Sequence, residues 1–193
     1  MNSKRKSKDI NSHLNKGNSM VSQPTLFDEK ITLPQLEQLL WKAADILRGA
    51  VEAPDYKHYV LPLLFFKRLS DVHLEEYQEK LKKYGDKRIA KEKFHRFNIP
   101  DGCFWADVRN VARDVGQKLN DALAKIAKAN PELEGVINRS DFNARDRLPE
   151  DRLIRLVEHF SRLKLGNSNV EPDVLGQAYL VFGCTTSDIL TRP

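Results

Sequence analysis

Leu39 to Asp71 reads LLWKAADILRGAVEAPDYKHYVLPLLFFKRLSD, and this stretch decides the fold class. Its first arm belongs to a helix that starts upstream. Thr32 is a good N-cap with Gln35 three residues on, and Pro34 fits the first turn. Leu36, Leu39, Leu40, Ala43 and Leu47 fall on one face until Gly49 ends the helix. Asp55 is placed to cap a second helix from Tyr56 that runs to Tyr84, with Gly85 as its stop. Such a helix is roughly 43 Å long at 1.5 Å per residue. Pro62 lies inside it, removes one backbone donor and is expected to bend the axis. Tyr59, Val60, Leu63, Leu64, Phe66 and Leu69 leave almost no polar side apart from Lys67, so this segment is expected to lie centrally between other helices.

Outward from the hairpin the helical pattern continues. NIPDGCFW, residues 98–105, has the Pro, Asp and Gly of a turn, and Phe104 and Trp105 are expected to close the core. Asp114 with Gln117 marks another capped start. Val115, Leu119, Ala122, Leu123 and Ile126 define a helix ended by Asn130-Pro131. After Pro149, the residues Leu153, Leu156, Val157, Phe160 and Leu163 form the apolar face of a further helix. No strand alternation of useful length and no internal repeat occurs. The expected fold is all-α, an irregular helical bundle around a long bent helix.

Composition bounds the function classes. The chain has 193 residues, 40% hydrophobic and 31% charged, an ordinary globular composition. No apolar run reaches the roughly 18–20 residues of a membrane span, since Lys67 and Arg68 interrupt LPLLFF. Residues 1–23 lack the apolar middle segment of a signal peptide. Cys103 and Cys184 suggest neither a disulfide framework nor a zinc site, and a cytoplasmic protein is expected. Of the net charge of +5, residues 1–19 hold +4, so the folded part carries little excess charge. The tail, residues 1–23, is rich in Lys, Ser and Asn and is expected to be disordered. Two readings of it stay open: Met20 as the true start, or a basic tail with salt-sensitive attraction to phosphates.

Charge within the body is sorted locally. Lys80, Lys82, Lys83, Lys87, Arg88, Lys91, Lys93 and Arg96 face only Asp86 and Glu92, a net of +6, just after the acidic Asp71, Glu75, Glu76 and Glu79. A helix dipole accounts for the acid-to-base gradient up to Tyr84, with acids and bases on a solvated helix end. It accounts less well for Lys87 to Arg96, which makes that connector the preferred place for a phosphate contact.

Known chemical motifs are missing from these residues. No two of the nine glycines lie within three residues of each other, which excludes a dinucleotide-binding or P-loop cluster. No two of the nine prolines are adjacent, so the Asn/Asp-Pro-Pro-aromatic loop of amino-methyltransferases is absent. His13, His58, His73, His95 and His159 are read as surface or half-buried helix residues with no metal-ligand spacing to Cys, Glu or another His. Ser70-Asp71 and Ser140-Asp141 are read as helix-end chemistry before a nucleophile and base. No catalytic, cofactor-binding or metal-binding residue is expected.

The hairpin arms LWKAADILRG and YKHYVLPLLFFKRLSD, then FNIP followed by Trp105, QKLNDALAKIAKANPELEGV (117–136) and VEPDVLGQAY (170–179), occur in an order that resembles one family. It is the modification (methyltransferase) subunit of type I restriction-modification systems, and the resemblance covers roughly residues 33–179. It implies an adenine-N6 DNA methyltransferase subunit that uses S-adenosylmethionine and assembles with a specificity and a restriction subunit. The helical N-terminal domain, here 24–179, is implied to help close the complex around DNA, while the cofactor and adenine sites lie in the catalytic domain that follows. Lys67 and Arg68 then either reach DNA or a partner domain, or snorkel from a buried helix with Asp71 as ion-pair partner. With Lys83, Lys87, Arg88, Lys91, Lys93 and Arg96 they form the set of candidate DNA or partner contacts; DNA binding is expected to be weak and non-specific.

After Tyr179 the text becomes LVFGCTTSDILTRP, with no evident helical period, and departs from the family. Residues 180–193 are therefore read as a divergent tail, and the chain as a truncated or frame-disrupted subunit that is inactive alone and carries no cofactor. A stand-alone helical protein- or DNA-binding module without enzymatic activity is the alternative.

Overall fold

The structure, a computed structural model, describes residues 30–87 and 95–188. The expected disordered tail of residues 1–23 lies outside them, as do Arg88, Lys91 and Lys93. Six helices make up the described residues: α1 (Leu33–Leu47), α2 (Tyr56–Tyr84), α3 (Trp105–Arg109), α4 (Val115–Ala129), α5 (Glu150–Ser161) and α6 (Pro172–Asp188). Two short 3-10 turns, Ala53–Asp55 and Pro131–Leu133, complete the order. No strand occurs among the described residues, only one isolated bridge between Arg48 and Val51. The fold is all-α, as the periodicity implies.

α2 is the axis. Its 29 residues run from Tyr56 to Tyr84 and end at Gly85, whose φ of 68° is left-handed and whose N–H donates to the Leu81 carbonyl at 2.9 Å. Tyr59 through Leu64 are buried, because α5 and α6 pack on this half of the helix together with α3, while His58 stays exposed. α1 lies against α6 and α5. Pro62 leaves the carbonyl of His58, four residues back, without its helical donor, and the Ser140 hydroxyl donates to that carbonyl instead. A loop residue thus completes the backbone bonding that a proline inside a helix breaks.

The helix entries are built differently from expectation in two places. At α1 the Thr32 N–H does donate to Gln35 Oε1 at 2.8 Å. Asp55, however, makes no side-chain cap; the chain enters α2 through the Ala53–Asp55 turn, which already holds Asp55 in a helical conformation. Asp114 makes no cap to α4 either. It adopts φ 56° and pairs with Arg145, while Glu150 of the following segment accepts the Val115 N–H at 3.2 Å. Gln117 bonds Asp121 and Asn143 rather than the helix start.

A third correction concerns the C-terminal end. Helix α6 does not stop at Tyr179 but runs on through Asp188, and Phe182 is buried with its ring edge-on to Trp41 at 5.3 Å. Residues 175, 178 and 182 share its buried face, a 3–4 spacing that the glycines and threonines around it obscure.

The core runs without a break through the bundle. Trp105 packs into it, its ring 5.2 Å from that of Phe66 and 6.4 Å from that of Phe160. Its backbone N–H donates to Ser70 Oγ at 3.0 Å and its indole N–H to Ser161 Oγ at 2.9 Å. Ser70 is thereby a structural acceptor. Among the described residues no buried side-chain nitrogen or oxygen lacks a hydrogen-bond partner, and no helix is long and apolar enough to cross a membrane.

Candidate interaction surfaces

Lys67 and Arg68 are turned into the protein. Only 5% and 8% of their surfaces remain exposed, so neither head group snorkels out. Lys67 pairs with Asp71 one turn on. Burial pulls the Lys67 ammonium below the usual lysine range, and Asp71 opposes that shift. Arg68 reaches the loop after α5, donating to the carbonyls of Leu165 and, at 3.2 Å, of Val170, and to Asn167 Oδ1 at 2.6 Å.

The acids beside them hold the same loop. Asp71 Oδ2 accepts the Leu165 N–H at 2.8 Å. Glu75 accepts the backbone N–H groups of Asn167 and, at 2.9 Å, of Ser168. Burial alone would raise the Glu75 carboxyl, but the hydrogen bonds from Ser168 and Asn167 and the charge of Arg68 leave it below the usual carboxylate range. One face of α2 therefore grips residues 165–170 with a cation for the carbonyls and two carboxylates for the amides. The segment just before α1 is pinned at the same place, with the Ile31 N–H on the Asn169 carbonyl at 2.7 Å and Lys30 on Glu171.

The remaining described candidates are exposed. Lys83 lies in the last turn of α2, with Nζ 5.3 Å from the Tyr84 ring centre, and Lys87 follows just beyond Gly85. Arg96 is exposed with its guanidinium 5.5 Å from the Phe97 ring centre. Its backbone N–H is held by Glu76 Oε2 at 3.3 Å, which draws the connector back onto α2.

Two concavities flank α2. The larger, about 770 Å³, is lined by His73, Tyr77, His95, Ile99, Phe104 and Trp105 among others, with Asp71, Asp101 and Asp107 also on its walls. His73 and His95, read from the sequence as unrelated helix residues, are stacked there with ring centres 3.8 Å apart, and His95 Nδ1 lies 3.1 Å from Glu76 Oε2. Twenty-one intervening residues hid this pair; the only local signal was the His73–Glu76 spacing of one helical turn. Among the described residues no group of three or more His, Cys, Asp or Glu side chains is arranged to hold a metal ion.

The smaller concavity, about 430 Å³, lies where α2, the Gly135–Ser140 loop and α6 meet, lined by Leu61, Pro62, Phe65, Val136, Tyr179 and Leu180. Its rim is apolar and open: Leu180 is 64% exposed and Val136 48%. Phe65 and Tyr179 meet there edge-on at 5.5 Å.

With this geometry the chain resembles known proteins consistently. The family model described as the HsdM N-terminal domain matches residues 36–160. The type I restriction enzyme MjaVIII methylase subunit of Methanocaldococcus jannaschii is 30% identical over 166 residues, which are 78% of this chain and 27% of that protein. The MjaIX methylase subunit of the same organism is 26% identical over 170 residues, 77% of this chain and 30% of that protein. The crystal structure of the type I restriction-modification methyltransferase subunit from Streptococcus thermophilus superposes with a TM-score of 0.63 at 21% identity, over 81% of this chain and 39% of that one, a likeness of fold. The chain thus spans well under half the length of each of these relatives. It belongs to the HsdM N-terminal domain family of type I restriction-modification methylase subunits.

Proposed function

We propose that this domain serves in the assembly and DNA engagement of a type I modification complex. The observation that carries the reading is the family match over residues 36–160, set in relatives more than twice as long. In this reading S-adenosylmethionine binding and methyl transfer to adenine N6 fall to the catalytic domain, and the specificity and restriction subunits are the other partners. No two glycines here are close enough to cradle a cofactor, which agrees with that division.

DNA contact falls to the cations at the end of α2 and in the connector, Lys83, Lys87 and Arg96, together with Arg88, Lys91 and Lys93. Arg68 contributes by fixing α2 to the 165–170 loop, and Lys67 is spent on Asp71 of the same helix. The exposed apolar rim at Val136, Tyr179 and Leu180 is the surface offered to the rest of a methylase subunit.

Duplex DNA titrated by fluorescence anisotropy tests the reading. The expected result is weak, sequence-independent binding that falls roughly 40-fold between 50 and 200 mM salt if three phosphates are contacted. The triple charge reversal of Lys83, Lys87 and Arg96 to Glu abolishes that binding and its salt slope. Unchanged binding by this variant would clear the end of α2 of the role. Calorimetric titration with S-adenosylmethionine is expected to give no saturable heat, and a saturable isotherm would refute the division of labour.

A further inference from the structure

Helices α1 and α5 are tied together by two hydrogen bonds between distant residues. His159 Nε2 lies 3.0 Å from the Leu39 carbonyl oxygen, and Arg152 Nη1 donates to the Ile46 carbonyl at 3.0 Å. Residue 39 therefore meets 159 and residue 46 meets 152, so the two helices run antiparallel and Lys42 stands level with Arg155. Arg155, His159 and Arg162 follow one another at spacings of four and three residues, which keeps them on one face of α5. Lys42, Arg155 and Arg162 are exposed, and His159 is half-buried in the seam beside them.

The acids that flank this seam are taken by other cations. Glu158 holds Arg109 through two bonds of 2.9 and 3.0 Å, Asp45 holds Arg48 at 2.7 Å, and Asp151 lies 3.8 Å from Arg152. Among the described residues Lys42, Arg155 and Arg162 have no ion-pair partner. Both charges that act on His159, Arg162 and Lys42, are positive; with burial as the larger cause they hold its pKa below the usual histidine value, against the contact with the Leu39 carbonyl. A helix dipole accounts for Arg162 at the end of α5 but not for Arg155 or Lys42 in mid-helix. From Arg155 to Arg162 the rise is roughly 10 Å at 1.5 Å per residue, the length of about three base pairs at 3.4 Å each.

We propose that Lys42, Arg155 and Arg162 form a second phosphate-contacting face, carried by α1 and α5 rather than by the end of α2, along which the backbone of duplex DNA lies. The inference rests on the reading that the domain engages DNA, and it enlarges the contact from one helix end to two surfaces. The two arginines offer planar forks to phosphate oxygens and Lys42 a point charge between the helices, and none of the three has an internal ion pair to give up. With three phosphates met here and three at the end of α2, the loss of affinity between 50 and 200 mM salt steepens from roughly 40-fold to about 1,000-fold.

The test is the duplex titration by fluorescence anisotropy on the full chain, with the His159 imidazole titrated by NMR in the free and the duplex-bound protein. The set Lys42→Gln, Arg155→Gln and Arg162→Gln is expected to bind more weakly than wild type at 50 mM salt and to keep only the roughly 40-fold salt dependence of the end of α2. Arg155→Gln alone changes an exposed side chain without a partner, so the fold does not depend on it. It removes one phosphate contact and with it a factor of about 3.5 in the salt dependence. A phosphate on the seam offsets Lys42 and Arg162, so the His159 pKa is expected to rise on binding. Wild-type salt dependence in both variants would overturn this face while leaving DNA engagement through α2 intact, and so would a His159 pKa that saturating duplex does not move. A wild-type chain that binds no duplex overturns both.

Discussion

Arg68 is the residue on which the sequence is most misleading. A Lys-Arg pair on a helix suggests a surface for DNA, yet the Arg68 guanidinium is buried against two carbonyls and Asn167. Arg68→Ala strips charged donors from buried acceptors and is expected to cost about 3 kcal/mol in urea unfolding. Arg68→Lys recovers little, because an ammonium cannot span Leu165, Val170 and Asn167 as a planar fork does. His159 carries a pH prediction. Burial holds its pKa below the usual histidine value, against a backbone contact with the Leu39 carbonyl at 3.0 Å. Its pKa is thus lower folded than unfolded, so the unfolded chain binds the proton first. The stability that neutral His159 contributes is complete above about pH 6.5 and is lost as pH falls from there toward the folded pKa. Melting temperatures measured from pH 7.5 to 5.5 are expected to fall, and less steeply in His159→Gln, which keeps a donor but does not titrate.

Among the elements, α2 was the most legible and α6 the least. The end of α2 follows from local chemistry, with Gly85 supplying the left-handed residue that closes it. The extension of α6 past Tyr179 was illegible because its apolar face is intermittent and its continuation depends on what it packs against. Phe182 gains its burial from α1, more than 130 residues earlier, through Trp41. Phe182→Ala is expected to destabilise the domain by about 3 kcal/mol. Circular dichroism is then expected to show a loss of helix signal from the end of α6. Gly116 marks a second tertiary dependence: a Cβ there would stand 2.2 Å from the Phe142 carbonyl oxygen, so the loop rests directly on α4. Gly116→Ala forces that backbone apart and is expected to cost about 2 kcal/mol in the same unfolding assay, although alanine is the better helix former.

At the scale of the molecule, the bundle is closed by polar clamps between distant segments as much as by its apolar core. α2 holds the 165–170 loop through Arg68, Asp71 and Glu75, and Asn130 holds the connector at Asn98. Asn130→Ala removes a side chain that bonds the Asn98 N–H and carbonyl and the Ile126 carbonyl. Its loss is expected to cost about 2 kcal/mol and to raise proteolytic cutting in the connector at native pH. The acidic stretch from Asp71 to Glu76, legible from composition as a solvated helix face, supplies the carboxylates of the 165–170 clamp. The candidate site was correspondingly half legible. Lys83, Lys87 and Arg96 are exposed as their sequence context suggests, whereas Lys67 and Arg68 are structural.

The sequence by itself determined the helical class, the length and centrality of α2, the stop at Gly85 and the family, because these depend on periodicity, caps and the order of local motifs. Only the tertiary structure decided which charges are spent inside the protein, that Glu150 and not Asp114 caps α4, that α6 runs through Asp188, and that His73 meets His95. Those outcomes rest chiefly on partners far away in the sequence. A local pattern records what a residue is able to do, and the packing of distant segments decides which groups are within reach for it to do it.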